Sequence, residues 1–261
     1  MRVALGIEYD GTAYNGWQRQ KTGTGVQALV EAAISKVADD PIEVVCAGRT
    51  DTGVHATGQV VHFDTRATRS DRSWSLGVNS HLPEDINVTW ASIVDDAFHA
   101  RFSATARSYR YLILNRPLRS ALYSRRAWWV YDPLDEKAMQ EGAAALLGKH
   151  DFSAFRAAGC GASTPVREIS KLQLQRYEDW IVLNITANAF LQHMVRNITG
   201  VLVAIGKGEQ SPSWAQTVLE GADRTRGGIA APPHGLTLVE VEYPGHFDIP
   251  QGQTQTPLIL L

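Results

Sequence analysis

Two hydrophobic periods alternate along this chain: short runs in which every second position is apolar, and longer runs with a 3.6-residue stripe. Arg2 to Tyr9 reads as a strand and leads into a loop running from Asp10 through Gly16-Trp17-Gln18 to Gln20. Thr24 and Gln27 have the spacing of a capping box, and Leu29, Val30, Ala33, Ile34 and Val37 behind them form a helical stripe. Ile42–Ala47 and Gln59–Phe63 predict strands, Ser70–Leu82 a short helix and Ile86–Val94 another strand. Composition shifts over Phe98–Ala104. The expected division is a first half at residues 1–104, a second at 105–246 and a tail at 247–261 with no usable period.

The second half repeats the outline. Arg107–Leu114 predicts a strand with Arg107, Tyr109, Tyr111 and Ile113 on one face. Trp128–Tyr131 is a further strand, and Asp135–Leu147 a helix stopped by Gly148. Ile169–Gln175 and Ile181–Thr186 read as an antiparallel pair around a polar turn. Phe190–Ile205 reads as a helix with Leu191, Val195, Ile198, Leu202 and Ile205 on one face. Gly221–Gly235 is loop, and Leu236–Tyr243 a last strand. Two runs of mixed elements imply an α+β protein built from two related halves, although no repeat survives at residue level.

Composition narrows the class. A length of 261 residues suits one large domain or two ordinary ones, and 44% hydrophobic with 20% charged residues describes a soluble globular chain. No run approaches the roughly 18 apolar residues of a membrane span. Met1–Gly6 enters a strand pattern at once, so no signal peptide is expected. Cys46 and Cys160 are the only cysteines, which fits a reducing cytoplasm and the reading of both as buried small side chains.

The net charge of −2 hides an uneven distribution. Between Ala97 and Tyr131 there is no acidic residue but seven arginines (Arg101, Arg107, Arg110, Arg116, Arg119, Arg125 and Arg126), leaving −9 for the remainder. A solvated charged face is the plain explanation. Tyr109, Tyr111, Tyr123, Trp128 and Trp129 are interleaved with these arginines, the mixture that neutralises phosphates and stacks on bases.

The chemistry centres on Cys46–Phe63, where two apolar runs are joined by a glycine-rich loop holding one carboxylate, Asp51, two residues after Arg49. Asp51-Thr52-Gly53 is the tripeptide of aspartic proteases. Those enzymes need a second copy in apolar surroundings, and here Arg49 and Thr50 precede the carboxylate. Asp10-Gly11-Thr12 resembles an aspartyl-phosphate motif, but the nucleophile position holds Glu8, so Asp10 reads as a turn former. The eight histidines never fall at metal-ligand spacing, and neither a phosphate loop nor a dinucleotide fingerprint occurs. No cofactor and no metal are expected.

Gly48-Arg49-Thr50-Asp51-Thr52-Gly53-Val54-His55-Ala56, with Gly58-Gln59-Val60 behind it, resembles the active-site motif of the TruA family of tRNA pseudouridine synthases. Tyr9-Asp10-Gly11-Thr12, Gly16-Trp17-Gln18, Phe98–Ala104, Arg107-Ser108-Tyr109-Arg110-Tyr111, Asp151-Phe152 and His193-Met194-Val195-Arg196-Asn197 follow the family pattern in the family order. Thr237 departs from it, standing where an aromatic residue is common, and the tail after Pro244 has no counterpart. The resemblance implies two ferredoxin-like (RRM-like) halves whose sheets join into one mixed, mostly antiparallel sheet. Helices would lie on one face, with a central basic cleft. It implies a cytoplasmic homodimer acting on tRNA, with no membrane attachment, that converts uridine to pseudouridine at anticodon stem-loop positions 38, 39 and 40. Asp51 would be catalytic, with Arg196 and Arg49 supporting it. Tyr109, Arg49, Arg107, His55 and Arg101 would contact the substrate.

A nearby guanidinium orients a carboxylate bidentately, the part expected of Arg196. Without the resemblance Arg196 reads as an arginine snorkelling from an apolar helix, Arg49 as a loop brace and Tyr109 as a core residue. Two other classes stay open on the residues alone. A non-catalytic tRNA-binding module would bind RNA without altering it, and a carboxylate-dependent hydrolase would release free base or phosphate.

Overall fold

Strands of this protein pair antiparallel almost throughout, giving a mixed α/β chain with five α-helices among the described residues. The computed structural model describes residues 1–20 and 22–250. Of the expected tail, residues 251–261 therefore lie outside the described residues. Two compact units divide the chain: Met1–Ala106 with the segment from Leu238 onward, and Arg107–Thr237.

In the first unit β1 (Arg2–Tyr9) pairs antiparallel with both β3 (His55–Asp64) and β4 (Ile86–Val94). Flanked on both sides, β1 has Val3, Ala4, Leu5 and Ile7 fully buried. The expected strand at Ile42–Ala47 shrinks to β2 (Val45–Cys46), which pairs with Val61 and His62. Ile42, Val44 and Ala47 are still buried while Val45 is exposed, and the backbone donors before β2 go elsewhere. Ile42 N–H donates to Ser35 Oγ at 2.9 Å and Val44 N–H to the buried Glu31 carboxylate at 3.1 Å. Side chains of α1 (Val26–Ala38) thus replace a strand partner.

The expected capping box at the start of α1 does not form. The N-cap is Gly25, and no side chain caps it. Val26 N–H donates to Gly16 O at 3.2 Å and Gln27 N–H to Trp17 O at 2.9 Å. The preceding loop supplies the acceptors a capping side chain would have given. Further along, α2 (Asp71–Asn79) is capped by Ser70, whose hydroxyl accepts from Ser73 N–H.

The second unit is built on β5 (Ala106–Asn115), with β6 (Trp128–Val130) parallel to it. After α3 (Glu136–Ala144), capped by Asp135, comes β7 (Gly148–Asp151), which Gly148 opens at φ +91°. The sequence pattern did not predict β7, because Gly-Lys-His-Asp carries no apolar alternation. β8 (Val166–Tyr177) pairs with β7 and with β9 (Trp180–Ala187), and β9 pairs with β5. The tight β8–β9 turn places Glu178 at φ 52°.

The helix expected from Phe190 begins only at Met194, as α4 (Met194–Gly206), because His193 adopts a left-handed backbone at φ 62°. Leu191 keeps the helical phase and is buried without being helical. A second helix, α5 (Trp214–Gly221), follows where no element was expected. β10 (Leu236–Glu242) then lies beside β3. Tyr243 after it donates to Ala100 O at 2.7 Å and packs on Phe98.

Candidate active site

Asp51 stands half-buried in the loop that joins β2 to β3, and backbone contacts hold the residues on either side of it. Ala47 N–H donates to Val60 O at 2.8 Å as the loop opens. The fully buried Gln59 donates through Nε2 to Gly48 O at 2.6 Å. Trp17 N–H reaches Thr50 O at 3.1 Å, and Val54 N–H returns to Asp51 O at 3.1 Å to close the turn. The buried Thr50 hydroxyl lies 2.7 Å from the Tyr9 hydroxyl.

Two glycines permit this close packing. Gly16 sits at φ +85°, and a Cβ on it would stand 2.6 Å from Thr50 O. A Cβ on Gly11 would stand 2.0 Å from Val54 O. A side chain at either position must displace backbone, not a flexible side chain. The loop between β1 and α1 therefore forms a wall for the Asp51 loop, and α1 anchors that wall through the Gly16 and Trp17 carbonyls.

The other candidates of the first unit differ in exposure. Arg49 and Thr52 flank Asp51 at the surface. His55 does not: it is buried at the start of β3, with Nδ1 accepting from Gly11 N–H at 3.0 Å and lying 3.1 Å from Asp10 Oδ1. That placement makes His55 a tie between the two loops. Asp10 is the turn former its sequence predicts, accepting from Thr12 N–H at 3.0 Å. Arg101 is exposed, with its guanidinium 5.3 Å from the centre of the Phe102 ring.

In the second unit Tyr109 lies on β5 opposite Ile185, nearly buried, with its ring edge-on to Phe190 at 5.1 Å. Arg107 donates to Asn188 O at 3.0 Å. Arg196 occupies the first turn of α4. Its Nε donates to Ala231 O at 2.8 Å, and its own carbonyl accepts from Ala231 N–H at 3.0 Å. This reciprocal pair fixes both the backbone and the side-chain plane of Arg196.

The arginine-rich stretch is less uniform than its sequence. Tyr111 is fully buried, its hydroxyl donating to Pro232 O at 2.7 Å, and burial pushes its pKa well up. Tyr123 packs edge-on to Trp180 and Trp128 to Tyr111. These three aromatics are packing residues, so the expected stacking set is reduced. Trp129 and Tyr131 do face outward, with Leu118, Arg119, Leu122, Arg125 and Arg126 also exposed.

Neither cysteine is fully buried as expected; both are half-buried thiols, and desolvation raises Cys46 to about 11. Among the described residues no three His, Cys, Asp or Glu side chains cluster as metal ligands, and no helix is long and apolar enough to cross a membrane. Tyr9, Gly16, Thr50 and Gln59 are the residues whose part in the site was not foreseen. All four lie in motifs visible in the sequence, but Tyr9 and Thr50 stand 41 positions apart and only the fold pairs them.

Known proteins resemble this chain over nearly its whole length. A family model described as tRNA pseudouridine synthase matches residues 6–103 and 143–244. A tRNA pseudouridine synthase A of Coxiella burnetii is 56% identical over 250 residues, covering 96% of each chain. A protein of the same name from Nitrosococcus oceani is 55% identical over 251 residues, covering 96% of this chain and 97% of its own. One from Colwellia psychrerythraea is 54% identical over 253 residues, covering 97% and 98%.

Proposed function

Because the chain belongs to the tRNA pseudouridine synthase family and isomerises uridine to pseudouridine in tRNA, we propose that Asp51 is the catalytic residue and that the targets are uridines 38, 39 and 40 of the anticodon stem-loop. The supporting observation is the immobilisation of the Asp51 backbone: Trp17 N–H on Thr50 O, Val54 N–H on Asp51 O, and glycine packed where a side chain cannot fit. A carboxylate on a preset loop need not reorganise as the reaction proceeds.

In this reaction the N1–C1′ bond of uridine breaks, the uracil turns, and C5 bonds to the same C1′. The C5 hydrogen leaves as a proton and N1 becomes protonated. No atom is gained, so the step needs no cofactor. Glycosidases use two carboxylates because water replaces the leaving group; here the leaving group returns, and one suffices. Asp51 supplies negative charge or a nucleophile beside C1′ or the base, and Arg196 is its supporting residue, as the family resemblance implies. Tyr109 stacks on the uracil once it has been turned out of the stem, a step costing a few kcal/mol. Arg49, Arg101 and Arg107 engage the nucleotide and its phosphates, and the arginine-rich stretch adds phosphate contacts that offset the unstacking. His55 acts behind the loop and not on the substrate. The functional unit is a homodimer, to be checked by sedimentation.

The test uses tRNA tritiated at uracil C5, incubated with wild type and Asp51→Asn. Wild type is expected to release tritium and the variant to bind tRNA while releasing it at least about 1000-fold more slowly. Equal rates from the two would refute the assignment of Asp51. Release from tRNAs lacking uridine at 38 to 40 would refute the assignment of target.

A further inference from the structure

Phe102 in the first unit is 75% exposed. A lone exposed phenylalanine is ordinary. This one differs because its surroundings hold it in place. Its ring lies against the His99 ring, with centres 4.4 Å apart and planes 29° from parallel. The same imidazole fixes the backbone beneath it, Nδ1 accepting Arg101 N–H at 3.2 Å and Phe102 N–H at 3.1 Å. A second pair of bonds closes the turn: His99 N–H to Ser103 Oγ at 3.0 Å, and Ser103 N–H to His99 O at 2.9 Å.

Behind His99, the buried His62 ring lies 4.8 Å away, and its Nδ1 accepts Ala100 N–H at 3.1 Å. Burial and the neighbouring Arg2 and Arg101 lower His99 from its ordinary value, which keeps the imidazole in the neutral form that accepts both N–H groups. The result is a run of three aromatic rings, His62 tilted against His99 and His99 stacked on Phe102, that starts in the core and ends on an outward ring held from beneath. Arg101, beside that ring, brings a positive charge.

We propose that Phe102 is a stacking platform for one unpaired base of the tRNA anticodon loop, with Arg101 on the adjoining phosphate. A preset ring loses little side-chain entropy on binding, and every base offers it a π-face. A π-stacking contact needs an aromatic face, whereas a protein–protein contact here would need only apolar bulk. This inference rests on the tRNA reading above.

The experiment measures tRNA affinity and tritium release for wild type, Phe102→Ala, Phe102→Leu and Phe102→Tyr. Each is paired with tRNAs carrying a single abasic site stepped through the anticodon loop. Because the side chain is exposed, all variants are expected to fold, as thermal melts will verify. Phe102→Ala and Phe102→Leu should weaken binding about 10-fold, and Phe102→Tyr should restore it. At one loop position the abasic penalty should vanish in Phe102→Ala, as expected of directly interacting partners. Additive penalties at every position would overturn the proposal. So would equal affinity of Phe102→Leu and wild type, or a loss of affinity explained by a change of oligomeric state. Failure of wild type to release tritium would instead count against the parent reading.

Discussion

The loop around Asp51 and the arginine-rich stretch from Arg116 to Tyr131 are assigned to the same substrate, yet they are built on opposite principles. Around Asp51 the chain is pinned by backbone bonds to the Trp17 loop, to β3 and within its own turn, with glycine at the contacts to the β1–α1 loop. In the arginine-rich stretch Arg119, Arg125 and Arg126 are exposed. Arg116, half-buried, donates to a local carbonyl, Leu118 O, and lies 3.6 Å from exposed Asp179. Chemistry at a bond needs atoms fixed to a fraction of an ångström, whereas phosphate attraction tolerates movement. The contrast therefore separates residues that set rate from residues that set affinity.

The sharpest way to break that contrast is Gly16→Ala. The substitution forces a left-handed alanine and a Cβ 2.6 Å from Thr50 O. It should cost about 3 kcal/mol of stability and lower kcat about 100-fold with little change in KM. Urea denaturation and single-turnover kinetics check both parts. Gly245→Ala, where a Cβ meets nothing within 4 Å, is the silent control.

Acid should expose the rigid region next. Burial, with Arg2 and His99 nearby, lowers His62 on β3 to about 4, only partly opposed by Asp64. Its folded pKa lies below its unfolded value near 6.5, so the unfolded chain takes up a proton that the folded chain refuses. Stability should fall by roughly 3 kcal/mol as pH drops from about 6.5 to about 4 and then level off for this group. Asp64, held below the usual carboxylate range by Arg2, adds a loss of the same sign at lower pH. Denaturation across this range should show the slope, and His62→Asn should flatten it. Between Arg116 and Tyr131 there is no histidine or acid, so that stretch should contribute no such slope.

Tyr9→Phe removes the hydroxyl 2.7 Å from Thr50 and should cost about 1 kcal/mol, with a several-fold fall in kcat. Smallest of all, Arg119→Ala should weaken tRNA binding only about 2-fold and reduce the slope of log affinity against log salt by somewhat less than one. A large effect on kcat from Arg119→Ala would erase the distinction between the two regions.

Much of the fold was legible because one face of each strand or helix must be apolar. Ile86–Val94 is a strand with the expected bounds, and β1, β5 and β9 lie where period two placed them. Two of the misses share one cause: local pattern does not say which group satisfies a backbone donor. Ile42 and Val44 carry the strand pattern but bond to Ser35 and Glu31, and the capping-box spacing at Thr24 yields to carbonyls of the Gly16 loop. Leu191 keeps helical phase outside the helix because His193 breaks the backbone, not the periodicity.

The site divides in the same way. The sequence by itself determined which residues could carry the chemistry: a single carboxylate among glycines, an arginine two residues before it, and a run of arginines without acids. These depend on residue type and neighbour, which the chain carries in one dimension. Only the tertiary structure decided which of them face outward and which hold others in place. It buried His55 behind the loop, put Tyr111 in the core and left Phe102 exposed above His99. Exposure depends on segments distant in sequence arriving at the same place, and that convergence is written in the packing of the whole chain.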